Sequence, residues 1–346
     1  MEHLKIAKSL KNEWLDFHQE NPKIRIRDAA RTLQTTEAEI VASFVGNKAM
    51  RLNNDFKGLW KRMPELGYIM TLTRNESCVH ERKGIFENIQ VAHAHVGYVA
   101  GPDIDLRMFF KHWAFGFALF DDEEAGFKKS IQIFDHQGTA ITKIYLQATS
   151  NHDRFELLVR DFLAENQTNT LDIKPEEGMP KDVDGNIDIQ AFLKSWSDLK
   201  DTHDFYPMLL KYKISRLRAL HIGGSFTKKV SNKSAEILLE DVSKSGMPIM
   251  VFTSSKGNVQ IHTGPVKKIV KIPGWVNVMD SEFNLHLHSE DIAESWVVRK
   301  PNLECDVHSL ECYDRAGNLI VQFFGKRKPG IPEDKEWTKY ITSLIN

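Results

Sequence analysis

The sequence predicts an α+β fold in which one domain is duplicated in tandem. The motif Ile133-Phe-Asp-His-Gln-Gly138 returns 179 residues later as Cys312-Tyr-Asp-Arg-Ala-Gly317, with aspartate and glycine at the same places. Each copy carries helical periodicity, then a run of alternating segments, then helical periodicity again. This order predicts a large, mostly antiparallel sheet with helices packed on it. At the same spacing, other positions of the two copies also hold similar residues, namely Leu106 and Leu285, Gly67 and Gly246, and Thr36 and Ser215.

Helices are predicted at both ends of the first copy. Residues 5–18 carry apolar side chains at helical spacing. Residues 29–33 predict a second helix, and Thr36 can cap a third. The stretch 153–166 predicts a closing helix, with its counterpart at 333–345.

Strands are predicted between these helices, where residues alternate or run apolar between Gly, Asn and Asp turn signals. In the first copy they are 68–73, 78–82, 95–99, 105–110, 114–120, 130–134 and 141–147.

The length suits two domains, because a chain of 346 residues can fill two cores at about 100 to 200 residues each. Residues 174–185 are rich in Pro, Gly and acidic residues, which is typical of a linker. We therefore expect an N-terminal repeat over 1–175, a linker over 176–188 and a C-terminal repeat over 189–346 that carries the main site.

Composition argues against bulk attraction to polyanions. The chain has 46 basic and 47 acidic residues, so any basic site must be local. Its three cysteines lack the spacing of a metal site or a redox motif, and their odd number argues against a disulfide framework. The N-terminus lacks the apolar run of a secretory signal. We expect a cytoplasmic protein.

Paired positions that differ in charge point to function, since the shared fold does not require the difference. The second copy has Arg299 and Lys300 where the first has Phe120 and Asp121. It also has a basic tract at 326–328 where the first copy has none. These cations could belong to solvated loops. They could also bind paired carboxylates or phosphates.

His203 is a second unshared residue, since its partner is Ile24. Asp201 or Thr202 can cap a helix here, and Pro207 is tolerated near the first turn. At a helix N-terminus the macrodipole favours the neutral imidazole, which is the form that binds metals. A capping or surface histidine is the alternative interpretation.

Arg107 is a third unshared residue, because the equivalent position of the second copy holds His286. Alternation along the strand predicts that Leu106 and Met108 face the core, while Arg107 and Phe109 face the other way. That second face could contact a cofactor or could be solvated.

Five motifs carry a resemblance that covers nearly the whole chain in order. They are Val79-His-Glu-Arg82, His95-Val-Gly97, Asp103-Ile-Asp-Leu-Arg107, Thr202-His-Asp-Phe205 and Gln322-Phe-Phe-Gly-Lys-Arg-Lys328. This pattern resembles the cytoplasmic hemin-degrading and heme-transport factors of bacterial heme-uptake operons. The resemblance implies heme b as ligand and substrate, with an inner-membrane heme importer and an electron donor as partners. The protein would be a monomer or a homodimer.

The resemblance also implies roles for particular residues. His203 would be the axial ligand of the heme iron, and Arg107 would lie over the distal face. Residues that would hold the propionates or line the pocket are Lys300, Gln322 and Arg327. Phe324 matches a position where some members have tyrosine, so a phenol donor would be missing here. His80 would serve a second heme site. Apart from the resemblance, His286 is a further candidate for a second site, because it stands at the position equivalent to Arg107.

Heme is a flat apolar ring with two carboxylates and one iron, so its site needs an imidazole, cations and a wide hydrophobic face. These are the residue types that the copies fail to share. We expect oxidative opening of the porphyrin ring to release iron. A heme chaperone that delivers heme to an oxygenase is the alternative.

A third hypothesis is DNA binding, because residues 24–43 resemble a helix-turn-helix. The segment that would read DNA begins with acidic residues where base and phosphate contacts need cations or amides. The second copy reuses the same module at 209–219, which indicates a structural part. We therefore do not expect specific nucleic-acid binding.

Overall fold

The computed structural model describes residues 2–91, 95–175, 187–327 and 331–345. It divides into two compact units. Unit 1 comprises Met1–Arg74, His80–Glu176 and Ser254–Gln260, and unit 2 comprises Asn75–Val79, Glu177–Thr253 and Ile261–Asn346. The predicted linker, 176–188, lies outside the described residues except at 187 and 188. The predicted domain limits stay a prediction.

The helices of the described residues fall at the ends of each unit and between its strands. They are α1 Glu2–Glu20, α2 Ile26–Thr32, α3 Glu37–Ala42, α4 Phe56–Arg62, α5 His152–Asp161, α6 Ile189–Ser197, α7 Phe205–Tyr212, α8 Arg216–His221, α9 Ser234–Ser245 and α10 Lys335–Ser343. Short 3-10 turns also occur, and one of them, Thr202–Asp204, directly precedes α7.

The strands of unit 1 are β1 Ala49–Leu52, β2 Ile69–Arg74, β3 Cys78–Gly84, β4 Ile89–Val91, β5 Val96–Ala100, β6 Asp105–Phe109, β7 Phe115–Leu119, β8 Ser130–Phe134 and β9 Ala140–Leu146. Those of unit 2 are β10 Thr227–Val230, β11 Ile249–Ser254, β12 Asn258–Gly264, β13 Ile269–Ile272, β14 Trp275–Met279, β15 Phe283–His288, β16 Glu294–Lys300, β17 Val307–Tyr313 and β18 Leu319–Gly325. Parts of β3, β11 and β12 belong to the other unit.

Both units pair their strands in the same order. In unit 1 the antiparallel order is β1-β7-β8-β9-β2, with β4-β5-β6 as a second group. In unit 2 it is β10-β16-β17-β18-β11, with β13-β14-β15 as the second group. The predicted duplication and the α+β class are therefore confirmed.

The motif that revealed the duplication is a hairpin turn. Asp135 accepts backbone hydrogen bonds from Gln137 and Thr139, and Asp314 does the same at the equivalent places. The glycine of each motif has a φ of 75° or 83°, a left-handed conformation that favours glycine. A register shift precedes each turn, between Ile133 and Phe134 and between its equivalents 312 and 313. Turn geometry thus explains why this motif is shared.

Each unit buries apolar residues on both faces of its main sheet. In unit 1, Ile131 and Ile133 pack toward α4 and α5, while Phe117 and Phe134 pack toward α1, α2 and α3. In unit 2, α9 and α10 cover one face of the equivalent sheet, and α6, α7 and α8 pack on the other. The second of these faces carries the candidate site.

The predicted strands agree with the structure to within two residues. Thr36 caps α3 as expected, accepting from the backbone of Glu39 at 3.1 Å. The helix predicted over 153–166 is shorter, because the chain leaves it at Phe162 to pair with the end of β1. Asn53 and Ala164 supply backbone N–H groups to that pairing, which the residue pattern does not show.

Helix α3 belongs to the proposed DNA-reading segment, and most of its residues are buried in unit 1. Within the described ranges, none of the helices is long and apolar enough to cross a membrane.

Candidate functional site

His203 presents an exposed imidazole whose orientation is fixed by a carboxylate. It lies in the 3-10 turn Thr202–Asp204, directly before α7. Its Nδ1 atom lies 2.5 Å from Oδ1 of Asp201, and its side chain is 91% exposed. If Nδ1 donates to that carboxylate, Nε2 carries the free lone pair. No hydrogen bond to Nε2 occurs within the described part of the chain.

The local sequence explains this geometry. Asp201 is the N-cap, and it forms a capping box with Asp204, as the predicted cap requires. Pro207 is the third residue of α7, where it disrupts no helical hydrogen bond. The hydrogen bond from the His203 backbone lowers the pKa of Asp201, and the His203 side chain adds to this effect. Asp201 is thus held as a carboxylate that orients the imidazole.

Lys300 ends β16 and is buried, with its side chain 4% exposed. Its Nζ atom donates to Oε1 of Glu311 at 2.7 Å. Burial lowers the pKa of Lys300 to about 8, although the charge of Glu311 opposes that effect. Nζ also lies over the rings of Phe205 and Phe324, at 4.9 and 5.8 Å from their centroids. Lys300 therefore connects the start of α7 to the surface of β18.

Glu311 is the centre of this network, and it is not among the site residues predicted from the sequence. Its carboxylate accepts hydrogen bonds from Nε and Nη2 of Arg216, at 2.8 and 2.7 Å, and from the hydroxyl of Tyr313 at 2.6 Å. Gln322 donates to Oε1 at 2.9 Å. Burial alone would raise the pKa of Glu311, but the charges of Arg216 and Lys300 outweigh it and hold the pKa well below its usual range.

The missed residues had a signal in the sequence. Glu311 pairs with Gln132, and Arg216 pairs with Glu37. Both pairs differ in charge between the copies. The comparison that selected His203 would therefore have selected them as well.

A half-buried apolar surface adjoins the network. Gln322 and Phe324 alternate with core residues on β18, and they lie opposite Phe252 and Met250 of β11. The rings of Phe252 and Phe324 are 4.9 Å apart. All four side chains are neither fully buried nor fully exposed. These side chains therefore lie on a part of the sheet face that the helices do not fully cover.

Arg327 lies just beyond β18, after Lys326, and its charge helps to lower the pKa of Asp201. The loop after β16 also reaches this region, since the backbone N–H of Leu303 donates to the carbonyl of Lys200 at 3.1 Å. His203, Lys300, Gln322, Phe324 and Arg327 are therefore gathered in one region of unit 2. Lys328 lies outside the described residues.

Arg107 belongs to unit 1. Leu106 and Met108 are buried, while Arg107 faces the other way, as the alternation predicts. Its guanidinium donates to Asp105 and to the carbonyls of Leu106 and Val99, at 3.1 and 3.4 Å for the carbonyls. Burial raises the pKa of Asp105, and Arg107 opposes that shift. The side chain of Arg107 is 40% exposed, so part of its guanidinium can contact a ligand.

Two other histidines were proposed for a second site. His80 is fully buried in β3. His286 is held through Nδ1 by the side chain of Asn277 at 2.8 Å. Neither residue presents an exposed imidazole like that of His203. Their roles in heme binding stay predictions.

The arrangement in unit 2 suits a flat anionic ligand with a metal centre. An oriented imidazole with a free Nε2 can bind a metal, and this geometry is typical of histidine ligands held by a carboxylate. Arg216 and Lys300 carry two positive charges against the one negative charge of Glu311. The surplus charge attracts an anion, while Phe252 and Phe324 offer apolar contact.

The fold and the site together define a duplicated α+β protein in which the second copy carries the candidate ligand site. The chain belongs to the family of the haemin-degrading HemS.ChuX domain. The family model matches residues 34–162 and 213–344, once in each copy.

Relatives of similar length agree with this assignment. The chain is 34% identical to the hemin transport protein HmuS of Yersinia pestis, over 98% of both chains. It is 43% identical to PhuS, a heme-binding protein from Pseudomonas aeruginosa, whose holo crystal structure matches with a TM-score of 0.94 over 97% of this chain and 98% of that one. The heme-degrading enzyme ChuS of Escherichia coli O157:H7 matches at 33% identity and a TM-score of 0.92, over 98% of this chain and all of that one.

Proposed function

We propose that this protein binds heme in heme utilisation, with His203 as the axial ligand of the iron. The observation that carries the proposal is the exposed imidazole that Asp201 orients through Nδ1. Full-length relatives that are described as heme-binding and hemin-transport proteins support the choice of ligand.

The other residues of the region suit the rest of the heme. Arg327 and the surplus charge of the Glu311 network are available for the propionates. Phe324 and Phe252 provide the ring contacts, and Gln322 adds a polar edge. Phenylalanine at position 324 leaves no phenol donor there, so we expect nitrogen donors such as that of Arg327 to contact the propionates.

We further propose that the protein opens the porphyrin ring oxidatively and so releases iron. The bound heme supplies the iron on which oxygen chemistry occurs. The protein would hold the ring and exclude water from its apolar face. Arg107 is proposed to lie over the distal side, where its guanidinium can stabilise negative charge that develops during the reaction. The description of ChuS as a heme-degrading enzyme supports this proposal.

The alternative is a chaperone that carries heme to a separate oxygenase. The description of HmuS as a hemin transport protein favours it. In that case the same residues would hold heme without turnover. An importer and an electron donor remain proposed partners, and a cytoplasmic location remains an expectation.

One assay separates these two functions. The heme complex is formed by titration with hemin and then incubated with ascorbate, with catalase present and absent. If the protein opens the ring, the Soret band should disappear progressively, and it should do so in the presence of catalase as well as in its absence. A Soret band that survives every condition would leave the chaperone as the function.

A further inference from the structure

The outer edge of β1 in unit 1 is closed by a later segment of the same unit. Arg51 directs its backbone N–H and C=O away from β7 and toward the residues that follow α5. Its N–H donates to Oε1 of Gln167 at 2.9 Å, and its carbonyl accepts from the backbone N–H of Ala164 and from Nε2 of Gln167, at 2.9 and 2.8 Å. The backbone N–H of Asn53 donates to the carbonyl of Phe162 at 2.7 Å. An extended segment therefore completes this sheet.

The equivalent edge in unit 2 is open. Arg51 pairs with Phe117 of β7. Lys229 of β10 pairs with Trp296 of β16, which is the equivalent of Phe117. Lys229 therefore stands where Arg51 stands, and its backbone N–H and C=O point away from β16. In the described part of unit 2, these two groups meet neither another strand nor a side chain like that of Gln167. Strand β10 thus ends its sheet with an unpaired edge, to which another strand can be added.

The open edge is basic on both faces of the sheet. Lys228 and Lys229 occupy the middle of β10, and both side chains are exposed. Side chains alternate along a strand, so the two lysines lie on opposite faces. Lys229 packs over the ring of Trp296 on the face that α8 covers. Lys228 shares its face with Val230, which packs toward α9. Lys233, just beyond the strand, is exposed as well.

The carboxylate of Glu294 lies near this edge but is shared among several partners. Its Oε2 atom lies 3.3 Å from Nζ of Lys229 and 3.1 Å from Nε2 of His221. It also accepts from Nε1 of Trp296 at 2.9 Å. Lys228 forms no ion pair within the described ranges of the chain. The edge therefore keeps positive charge that a partner can neutralise.

These charges decide between two kinds of occupant. Antiparallel pairing of two β10 strands from two copies would place lysines opposite lysines, and like charges directly opposite one another destabilise a sheet. Lysines on an edge strand commonly prevent such self-pairing. A strand with acidic side chains meets the opposite condition, because its carboxylates would lie opposite Lys228 and Lys229.

We propose that β10 is a docking edge for an extended acidic segment of a partner protein, which pairs with it as an added strand. The backbone N–H and C=O of Lys229 form the central hydrogen bonds, as those of Arg51 do in unit 1. The main-chain bonds supply affinity, and the two lysines select an acidic sequence. None of these residues belongs to the candidate heme site, so the docking edge does not depend on the proposed function.

Fluorescence anisotropy on the whole chain tests the docking edge with the labelled peptide Val-Thr-Glu-Glu-Thr-Val-amide. Its adjacent glutamates point to opposite faces of a strand, as Lys228 and Lys229 do. One control peptide has every peptide nitrogen methylated, so it keeps the charge and loses the N–H donors. A second control peptide has lysine in place of glutamate.

Three variants separate backbone pairing from charge. Lys229→Pro removes the outward N–H without removing a hydrogen bond to β16, and proline is tolerated on an edge strand at such a position. Lys229→Gln is its matched control, because it loses the same charge but keeps the N–H. Lys228→Glu reverses the charge on the other face. Circular dichroism and thermal melting verify that each variant is folded.

We expect the wild type to bind the acidic peptide saturably and more weakly as salt is added. Binding by Lys229→Pro should be about fivefold weaker than binding by Lys229→Gln, the effect of losing one hydrogen bond. Lys228→Glu should also weaken binding by about fivefold or more, through charge reversal. The two control peptides should not bind. Hemin titrations of all three variants should match that of the wild type.

Several results would overturn the docking edge. The first is a wild type that does not bind the acidic peptide. Equal binding by Lys229→Pro and Lys229→Gln, or equal binding of the methylated peptide, would show charge attraction without strand pairing. If Lys229→Pro does not fold, the methylated peptide decides the same point. Sedimentation equilibrium tests the other occupant: a wild-type dimer that Lys228→Glu or Lys229→Pro dissociates would assign the edge to a second copy instead.

Discussion

The carboxylate of Asp201 and the imidazole of His203 form a hydrogen-bonded pair with 2.5 Å between Oδ1 and Nδ1. Asp201 is also the N-cap of the turn. The same residue therefore both stabilises the turn that carries His203 and orients its imidazole. Removing the charge of Asp201 should weaken the binding of heme iron by His203 without unfolding the turn.

Asp201→Asn should weaken hemin binding by about 10- to 100-fold, the usual effect of removing the group that orients a histidine ligand. Asparagine caps helices as well as aspartate does, so the turn should persist. Asp198→Asn is the control, because Asp198 pairs with exposed Lys194 nearby. Hemin titration by absorbance measures both. An unchanged affinity in Asp201→Asn would show that the pair does not support a ligand.

Hemin affinity should fall as the pH rises through about 8. Burial lowers the pKa of Lys300 to about 8 in the ligand-free protein, whereas an unfolded lysine titrates near 10.4. A propionate favours the protonated form, so binding above the lowered pKa must take up a proton, and affinity falls by up to ~10-fold per pH unit.

Titrations between pH ~7 and ~9, with Lys300→Met beside the wild type, test this linkage. The Lys300→Met variant should lose the fall in hemin affinity above pH ~8 that comes from deprotonation of Lys300. Identical pH profiles would remove Lys300 from the binding of the anion. In the ligand-free protein the sign is opposite: the lowered pKa makes the fold more stable as the pH rises from about 8 toward 10.4, because the unfolded chain then holds more protons.

Glu311→Gln should destabilise unit 2 by about 3–5 kcal/mol, because Arg216 and Lys300 would lose their shared carboxylate. Urea unfolding measures the loss. Adding Lys300→Met should recover part of it by removing one uncompensated charge. Glu304→Gln, at an exposed position, should change stability by no more than ~0.5 kcal/mol. A Glu311→Gln protein as stable as the wild type would contradict the central role of this carboxylate.

Arg107→Ala should leave hemin affinity within about threefold of the wild type but slow ring opening by about 10²-fold or more, since its proposed contribution is to charge that develops during the reaction. Single-turnover loss of the Soret band with ascorbate and catalase measures the rate. Arg82→Ala removes a cation that pairs with Asp103 in the same unit and serves as the control. Equal rates in wild type and Arg107→Ala would exclude Arg107 from the reaction.

Much of the fold could be predicted from the residue pattern. The duplication followed from Asp135, Gly138 and their equivalents because a tight turn demands the same side-chain cap and left-handed glycine in both copies. The position of His203 before a helix followed from Asp201 and Pro207, since capping is a local property.

The buried network around Glu311 could not be predicted from the local residue pattern. Glu311 meets Lys300 and Gln322 across neighbouring strands, and Arg216 reaches it from the first residue of a helix. Those contacts depend on strand register and helix placement, which the local pattern does not define. Paired positions could at most mark Glu311 and Arg216 as unshared, without showing that they touch.

Titration of wild type, His203→Ala and His221→Ala with hemin shows whether His203 binds the heme iron. His221 is another exposed histidine beside a carboxylate, that of Glu294, so it controls for the loss of an imidazole. We expect a Soret shift and saturable binding in wild type and His221→Ala, and loss of both in His203→Ala, as iron ligation by His203 requires. Wild-type affinity and Soret position in His203→Ala would contradict it.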